Sequence, residues 1–330
     1  MKLKTTLHSL LLVCGALLLL NFYPAPIEKS AVTPAAPELS GKITFSGAYA
    51  LYPMVVRWGE EFRKLHPKVQ FDIQGGGAGK GMTDVLSGTV HLGMVSRDIS
   101  PEEQAKGAYG VAVCKDAVII TINASNPFLP IIQQKGVTKS KLYELFITGN
   151  VTTWGQLLGE KNAKPIKLFT RSDACGASES LAKYLGNYKQ EDLNGTGVFA
   201  DPGVAQAVAK DPLALGYNNI NFVYDVKTRK PNPGLVPCPI DVNGNGTLDA
   251  NEKNYATLDA IDDAIRTGAY PSPPARQLFL VSKGKPNNPL VVAFLQWVLT
   301  EGQKYVDESG YVNLPEEQLK KQAAALSPKP

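Results

Sequence analysis

The chain has 330 residues, more than one small core organises, and the length predicts two domains. Hydrophobic residues make up 44% and charged residues 19%, which excludes a disordered chain. The formal charge is +4; Lys2 and Lys4 at the N-terminus supply part of it, and the remainder of about +2 excludes the basic stripe that a nucleic-acid binder carries.

Lys2 and Lys4 precede an apolar run from Leu10 to Leu20 that is too short for an ordinary membrane span. Residues 1–26 therefore read as a signal peptide or, uncleaved, as an N-terminal anchor, which places the protein in the periplasm or otherwise outside the cytoplasm. Residues 27–40, rich in Pro, Ala and Ser, read as a linker. Lys42 to Ser46 predicts a short strand, and Leu51, Val55, Trp58, Phe62 and Leu65 recur on one helix face that ends at His66-Pro67. Val69, Phe71 and Ile73 alternate as a half-buried strand. A glycine-rich turn, Gly75 to Gly81, opens a helix through Met82, Val85 and Leu86, and Val90 to Val95 predicts another strand, ending at Ser96-Arg97-Asp98. This β-α-β-α-β rhythm predicts an α/β fold with an open, largely parallel sheet.

Val111 to Asn123 is β-rich and long enough to cross between domains, and Arg276 to Ser282 is a second β-rich stretch. Leu290, Phe294, Trp297, Val298 and Val306 then mark a long closing helix ending near Gly310. Two extended crossings around an inserted region predict two lobes joined by two hinge strands: 41–118 plus 275–325 as lobe 1, and 119–274 as lobe 2. Such lobes take ligand in the cleft between them and close by a hinge. Three cysteines follow the leader; either Cys114 pairs with Cys238, or Cys114, Cys175 and Cys238 are all buried thiols.

The most informative segment is Thr170 to Glu179. It sets Arg171, Ser172, Asp173 and the Cys175-Gly176-Ala177-Ser178 step ahead of a helix marked by Leu181, Tyr184 and Leu185. Helix N-termini present unpaired N–H groups and partial positive charge, and an Arg adds a planar charged fork, so this segment suits an oxyanion. Ser46 to Leu51, Gly75 to Gly81 and Ser96-Arg97-Asp98 fall at the carboxyl ends of predicted strands, where open α/β sheets bind ligands. An enzyme is not expected: the three histidines (His8, His66, His91) lie in no cleft turn, and the metal-protease, hydrolase and redox motifs are missing from the sequence.

The order Ser-Gly-Ala…Leu-Tyr-Pro, Gly-Gly-Gly-Ala-Gly-Lys-Gly, Ser-Arg-Asp and Arg-Ser-Asp-x-x-Gly-x-Ser resembles the phosphate-binding proteins of bacterial ABC-type phosphate importers. Glu301 to Lys304 and Gly310 to Pro315 are similar to that family too. The resemblance spans about 41 to 316. It implies a two-lobed fold of the type II periplasmic-binding-protein kind, phosphate or a related oxyanion as ligand, a membrane ABC permease as partner, and a monomer. Carried over, the first turn matches Tyr49, Ala50 and Leu51, the glycine-loop position Ala78, the strand-end acid Asp98, the cation Arg171, and the Ser-Gly-Thr step Cys175, Gly176 and Ala177. Hydroxyl-bearing residues of the family are thus replaced, with Arg97 and Ser178 placed to compensate. Monohydrogen phosphate needs a hydrogen-bond acceptor that sulfate does not, and Asp98 is the expected acceptor, Asp173 the second. The alternatives are another oxyanion, or a calcium-stabilised surface protein for adhesion or sensing.

A separate motif runs from Asp241 to Glu252. Asp241, Asn243, Asn245, Thr247 (by its carbonyl), Asp249 and Glu252 occupy the ligand positions of an EF-hand loop, with Gly246 at the turn and Leu248 at the inward apolar place. One structural Ca2+ is expected there, with a helix after the loop and none before it, because Pro237-Cys238-Pro239 forbids one.

Overall fold

Strand β1 (Gly41–Gly47) buries Ile43 and Phe45 and pairs in parallel with β2 (Val69–Gly75) and β3 (Leu92–Val95). This computed structural model describes residues 38–327, so the expected leader and nearly all of the linker lie outside the described residues. From β3 the chain reaches β4 (Ala108–Asn123), a strand of 16 residues. The first part of β4 pairs antiparallel with β11 (Ala275–Lys283), which also pairs with β3. Its second part pairs antiparallel with β8 (Ala214–Asn219) and, at the end, with β9 (Leu235–Pro237). Parallel to β8 lies β6 (Lys167–Arg171), followed by β7 (Thr196–Val198). The order is β2-β1-β3-β11-β4-β8-β6-β7, with β9 also on β4. A small parallel pair joins β5 (Val137–Thr138) to β10 (Ile240–Asp241). The α/β class expected from the sequence is the class observed.

Residues from Leu39 onward form one compact unit, yet its apolar side chains gather into two large cores. One runs from Ile43 to Cys114 and resumes at Leu278; the other runs from Ala117 to Ala275 and takes in Val312. The change of core falls within β4, which is why this strand is so long: its ends are buried in different cores. At the crossing, the carboxylate of Asp116 takes two hydrogen bonds from Arg276, 3.0 and 3.2 Å, and the Tyr270 hydroxyl donates to the Val118 carbonyl at 2.6 Å. Cys114 lies in the first core and Cys238 in the second, and both are free and buried, as is Cys175. The Cys114–Cys238 pairing is therefore incorrect, because separate cores hold the two sulfurs.

Helix α1 (Tyr52–Leu65) starts with Pro53 in its first turn, where a missing N–H costs nothing, and buries Met54, Val55, Trp58 and Phe62. Leu65 is not on that face: it is 60% exposed at the last turn, ahead of the His66 cap. Helix α2 (Gly77–Ser87) follows β2, α3 (Gly176–Gly186) follows β6, and α4 (Ala200–Lys210) follows β7. Helix α5 (Leu258–Thr267) precedes the return crossing. The closing helix α6 (Pro289–Leu299) stops about ten residues short of Gly310. Thr300 leaves helical geometry at φ −120° and ψ −96°, and two 3-10 turns follow; there the Trp58 indole N–H donates to the Gly302 carbonyl at 2.8 Å and ties this backbone to α1. A last helix, α7 (Glu316–Leu326), was not predicted from the pattern; Gln322 hydrogen-bonds both the N–H and the C=O of Ala112 on β4, at 2.7 and 2.8 Å. After the loop at 241–252 comes only a 3-10 turn, Ala250–Glu252, and α5 begins later than an EF-hand's second helix would.

Candidate functional site

The turn after β1 exists because two sheet segments touch there. Gly47 has φ 132°, and a Cβ on it would stand 2.3 Å from the Met94 carbonyl oxygen, so only glycine fits. Ala48 N–H then donates to that carbonyl at 2.8 Å. Of the three residues expected to meet a ligand here through backbone N–H groups, Ala50 and Leu51 bury their side chains. Leu51 spends its N–H on the Ala48 carbonyl at 3.1 Å. The Ala50 carbonyl accepts from Tyr311 Oη at 2.8 Å. Tyr49 alone reaches across to lobe 2: its ring lies 5.8 Å from the Arg171 guanidinium carbon and meets Phe199 edge-on at 6.4 Å.

Helix α2 points its N-terminus at the same place. Gly76 N–H bonds the Gly47 carbonyl at 2.9 Å, fixing the turn to β1. Gly77 has φ 81°, and a Cβ there would be 2.3 Å from the Ala174 oxygen of lobe 2. Gly79 N–H donates to that same oxygen at 3.3 Å, so the glycine loop meets lobe 2 through its main chain. Ala78, the expected site position, is the second residue of α2, with its methyl group buried in the first core. Lys80 Nζ donates to Ser46 Oγ at 2.9 Å and pairs with Asp84, keeping a cation beside the turn.

On lobe 2 the end of β6 delivers Arg171 into a buried position, with its side chain 1% exposed. Its Nε and Nη2 donate to the two oxygens of Asp173 at 2.7 and 2.5 Å, and Nη1 donates to Asp201 at 2.5 Å. Burial alone would lower the pKa of this guanidinium, but Asp201 and Asp173 hold it above its ordinary value. For Asp173 burial pulls upward, yet Arg171 and the Ala200 N–H at 3.0 Å outweigh it and keep the carboxyl low. Asp201 is tied in turn by Asn219 N–H at 2.9 Å and Asn219 Nδ2 at 2.8 Å. Three of the five guanidinium N–H groups are thus committed to carboxylates.

Helix α3 starts beside this trio. Cys175 is its N-cap and its sulfur accepts the Ser178 N–H at 3.5 Å, a weak cap where Ser or Thr is usual. Ser178 is turned into the core, 2.7 Å from Tyr217 Oη, which also lies 2.7 Å from Thr170 Oγ1 and accepts the Arg171 N–H at 3.2 Å. Burial raises the pKa of Tyr217 and of the Cys175 thiol, so neither is an ionised nucleophile at neutral pH. Gly176 packs on Ser96: a Cβ would stand 2.3 Å from the Ser96 carbonyl oxygen. The structure therefore brings together Tyr49, the start of α2, Ser96, Arg171, Asp173 and the start of α3.

Arg97 and Asp98 are not in this group. Arg97 forks onto Glu103 at 2.7 and 2.8 Å. Asp98 bonds Lys183 of α3 at 2.5 Å, and its side chain is 78% exposed. Both line a groove of about 710 Å³ by the hinge, with Glu179, Lys183 and Arg276. Asp98 therefore does not occupy the buried acceptor position expected of it: its carboxylate lies at the open rim, paired with Lys183. Two residues that sequence reasoning missed matter more. Asp201 is the second counter-ion of Arg171. Arg276 links the lobes, donating to Asp116, to the Gly176 carbonyl at 2.6 Å and to Ser180 Oγ at 2.9 Å. Neither carries a motif; the position of Asp201 in the first turn of α4 was the one available signal.

Comparison with known proteins accords with this geometry. The profile of the PBP superfamily domain matches residues 32–301. The chain is 29% identical to Phosphate-binding protein PstS of Pseudomonas aeruginosa, over 96% of each chain. It is 28% identical to the protein of that name from Bacillus subtilis, over 58% of this chain and 61% of that one. Among solved structures it resembles a phosphate ABC transporter substrate-binding protein of Clostridium perfringens with bound phosphate, at TM-score 0.67, 21% identity, and 83% and 100% coverage. It also resembles an ABC-type phosphate transport receptor of Vibrio cholerae, at TM-score 0.61, 19% identity, and 83% and 100% coverage. With its profile match spanning most of the sequence, the chain belongs to the PBP superfamily.

Proposed function

We propose that this chain is an exported solute-binding protein, acting as a monomer, that captures inorganic phosphate in its inter-lobe cleft and passes it to a membrane ABC permease. The observation that carries the proposal is the convergence of two helix N-termini, from α2 and α3, on the buried Arg171. Each helix start offers N–H groups and partial positive charge to an oxyanion, and Arg171 adds a buried guanidinium charge. The local side chains themselves sum to a negative charge, since Arg171 faces both Asp173 and Asp201. Main-chain dipoles therefore do most of the anion binding, which suits a carrier that must release its cargo. The relatives' names and the bound phosphate of the Clostridium perfringens protein point to the same ligand.

Selection against sulfate falls to Asp173 in this reading. It is buried and ionised at neutral pH, and its Oδ2 is the atom that a Cβ on Gly77 would approach at 3.1 Å across the cleft. A protonated phosphate oxygen would donate to it, whereas sulfate would leave it unpaired and repelled. The proposed location outside the cytoplasm rests on the charged and apolar N-terminal sequence; among the described residues no helix is long and apolar enough to cross a membrane. The test is equilibrium titration of the mature protein with phosphate, sulfate, molybdate and tungstate. Saturable phosphate binding, with sulfate at least about 100-fold weaker, is expected. Failure of every oxyanion to bind would end the reading, and preference for molybdate or tungstate would reassign the ligand.

A further inference from the structure

We propose that residues 241–252 form a calcium site, set into lobe 2 and independent of the anion site. Its donors are the carboxylates of Asp241, Asp249 and Glu252, the side-chain oxygens of Asn243 and Asn245, and the Thr247 carbonyl. The sequence pattern meets every ligand position of a twelve-residue calcium loop, with glycine at the sixth place and leucine at the eighth. The structure adds an independent observation. Asp241 and Glu252 are only 1% and 3% exposed, and neither they nor Asp249 has an ion-pair partner among the described residues. Two buried carboxyl side chains and a third beside them thus meet in one loop with no Lys, Arg or His paired to them among the described residues. Buried charges of one sign are expensive unless a cation or metal joins them.

Backbone N–H groups partly occupy these carboxylates. Asp241 accepts from Gly244 at 2.7 Å and Gly246 at 2.8 Å, while Glu252 accepts from Val242 at 2.9 Å and Asp249 at 3.0 Å. Such bonds orient carboxylates without neutralising them. The amides of Asn243 and Asn245 lean on Asp249 at 2.7 and 3.2 Å, so the donor residues share one small volume. Among the described residues no three His, Cys, Asp or Glu side chains already enclose one metal position. The proposed set does not require that, because half of it is amide and carbonyl oxygen. All-oxygen donors select a hard cation, and a flexible loop of six or more oxygens favours Ca2+ over Mg2+, which demands a tighter octahedron.

The loop is anchored to the body of lobe 2. Leu248 is buried, its N–H donates to the Gln134 carbonyl at 3.1 Å, and β10 pairs with β5 where a paired calcium sensor would have a second loop. Calcium here would pin the β10–α5 connection to lobe 2 rather than expose a groove. Tyr255 Oη accepts the Ile240 N–H at 3.1 Å, one residue from Asp241, and is therefore placed to sensitise a bound lanthanide.

The experiment uses the mature full-length protein after chelator treatment. It is titrated with Ca2+ by calorimetry, and with Tb3+ by luminescence excited through tyrosine. One saturable Ca2+ site is expected, in the range of extracellular calcium modules, about 10⁻⁴ to 10⁻³ M or tighter. Mg2+ should bind at least about tenfold more weakly. Glu252→Gln should weaken Ca2+ by about tenfold or more and lower the Tb3+ signal, and Asn245→Ala should do the same to a smaller degree if Glu252→Gln misfolds. No saturable Ca2+ uptake by folded protein at about 10 mM, roughly ten times the weakest dissociation constant expected, would overturn the proposal. So would Mg2+ binding as tightly as Ca2+, or Ca2+ binding indifferent to both substitutions. Phosphate titrations should be unchanged by Glu252→Gln, which separates this outcome from any failure of the anion-binding reading.

Discussion

Replacing Arg171 by alanine separates the two roles that the structure gives this residue. Its guanidinium is buried between Asp173 and Asp201 and makes three charge-assisted bonds of 2.5 to 2.7 Å. Removing one partner of a buried ion cluster leaves uncompensated charge and costs about 3–5 kcal/mol. Arg171→Ala leaves two such carboxylates. The Ala200 N–H on Asp173 and the two Asn219 donors on Asp201 survive and moderate the loss, so a fall of about 3–5 kcal/mol in unfolding free energy is expected by urea denaturation. Phosphate affinity should fall separately, because a desolvated charged contact is worth about 2–5 kcal/mol, or roughly 30- to 4,000-fold. The triple variant Arg171→Ala with Asp173→Asn and Asp201→Asn removes the orphaned charges. It should recover most of the stability and none of the phosphate binding. Stability within about 1 kcal/mol of wild type in the single variant would refute the burial argument. Recovery of phosphate binding in the triple variant would refute the anion-binding role.

Other outcomes follow from particular contacts. Asp262 has a buried oxygen without a hydrogen-bond partner, and burial, eased by Arg229 and Arg266 and aggravated by Asp307 and Asp259, lifts its pKa from 3.8 to about 7. The folded state thus holds this proton longer than the unfolded one. The resulting penalty is absent below about pH 4, grows up to about pH 7 and stays constant above it, at most about 4 kcal/mol. Asp262→Asn should accordingly raise stability at pH 8 by about 2–4 kcal/mol and change it little at pH 4; equal effects at both would contradict the assignment. Asp98→Ala removes a rim ion pair worth about 0–1 kcal/mol, so phosphate over sulfate selectivity should change less than about tenfold, whereas its collapse would restore Asp98 as the acceptor. Gly176→Ala should weaken phosphate binding by about tenfold or more, because its Cβ would enter the Ser96 backbone at the inter-lobe contact; unchanged affinity would mean that this contact is not part of closure. Cys114, Cys175 and Cys238 should resist iodoacetamide in the native protein and all react in guanidinium, since burial raises all three thiols; a pair that stays unreactive after denaturation until a reductant is added would reveal a disulfide.

The sequence by itself determined most local structure and the chemical theme. The helix face of α1 and the alternation of β2 were legible because burial there follows the periods of helix and strand. The glycine loop and the Arg171 segment were legible because helix starts need particular residues. Leu65 misled because the helix ends just where its turn would have faced the core. The closing helix is shorter than its apolar periodicity suggests: at Thr300 the side chain turns back onto the Gln296 carbonyl, and Gly302 beyond it is held by the distant Trp58 indole.

Only the tertiary structure decided which candidate side chains share a space. Ser96, Arg97 and Asp98 are consecutive, yet Ser96 packs on Gly176 while Asp98 points to the open rim with Lys183. Asp201 and Arg276 became important because separate strands and helices bring their charges to Arg171 and Asp116. Periodicity encodes which face of an element is buried, but a charge finds its partner through the packing of elements far apart in sequence, and desolvation then fixes what that pairing is worth.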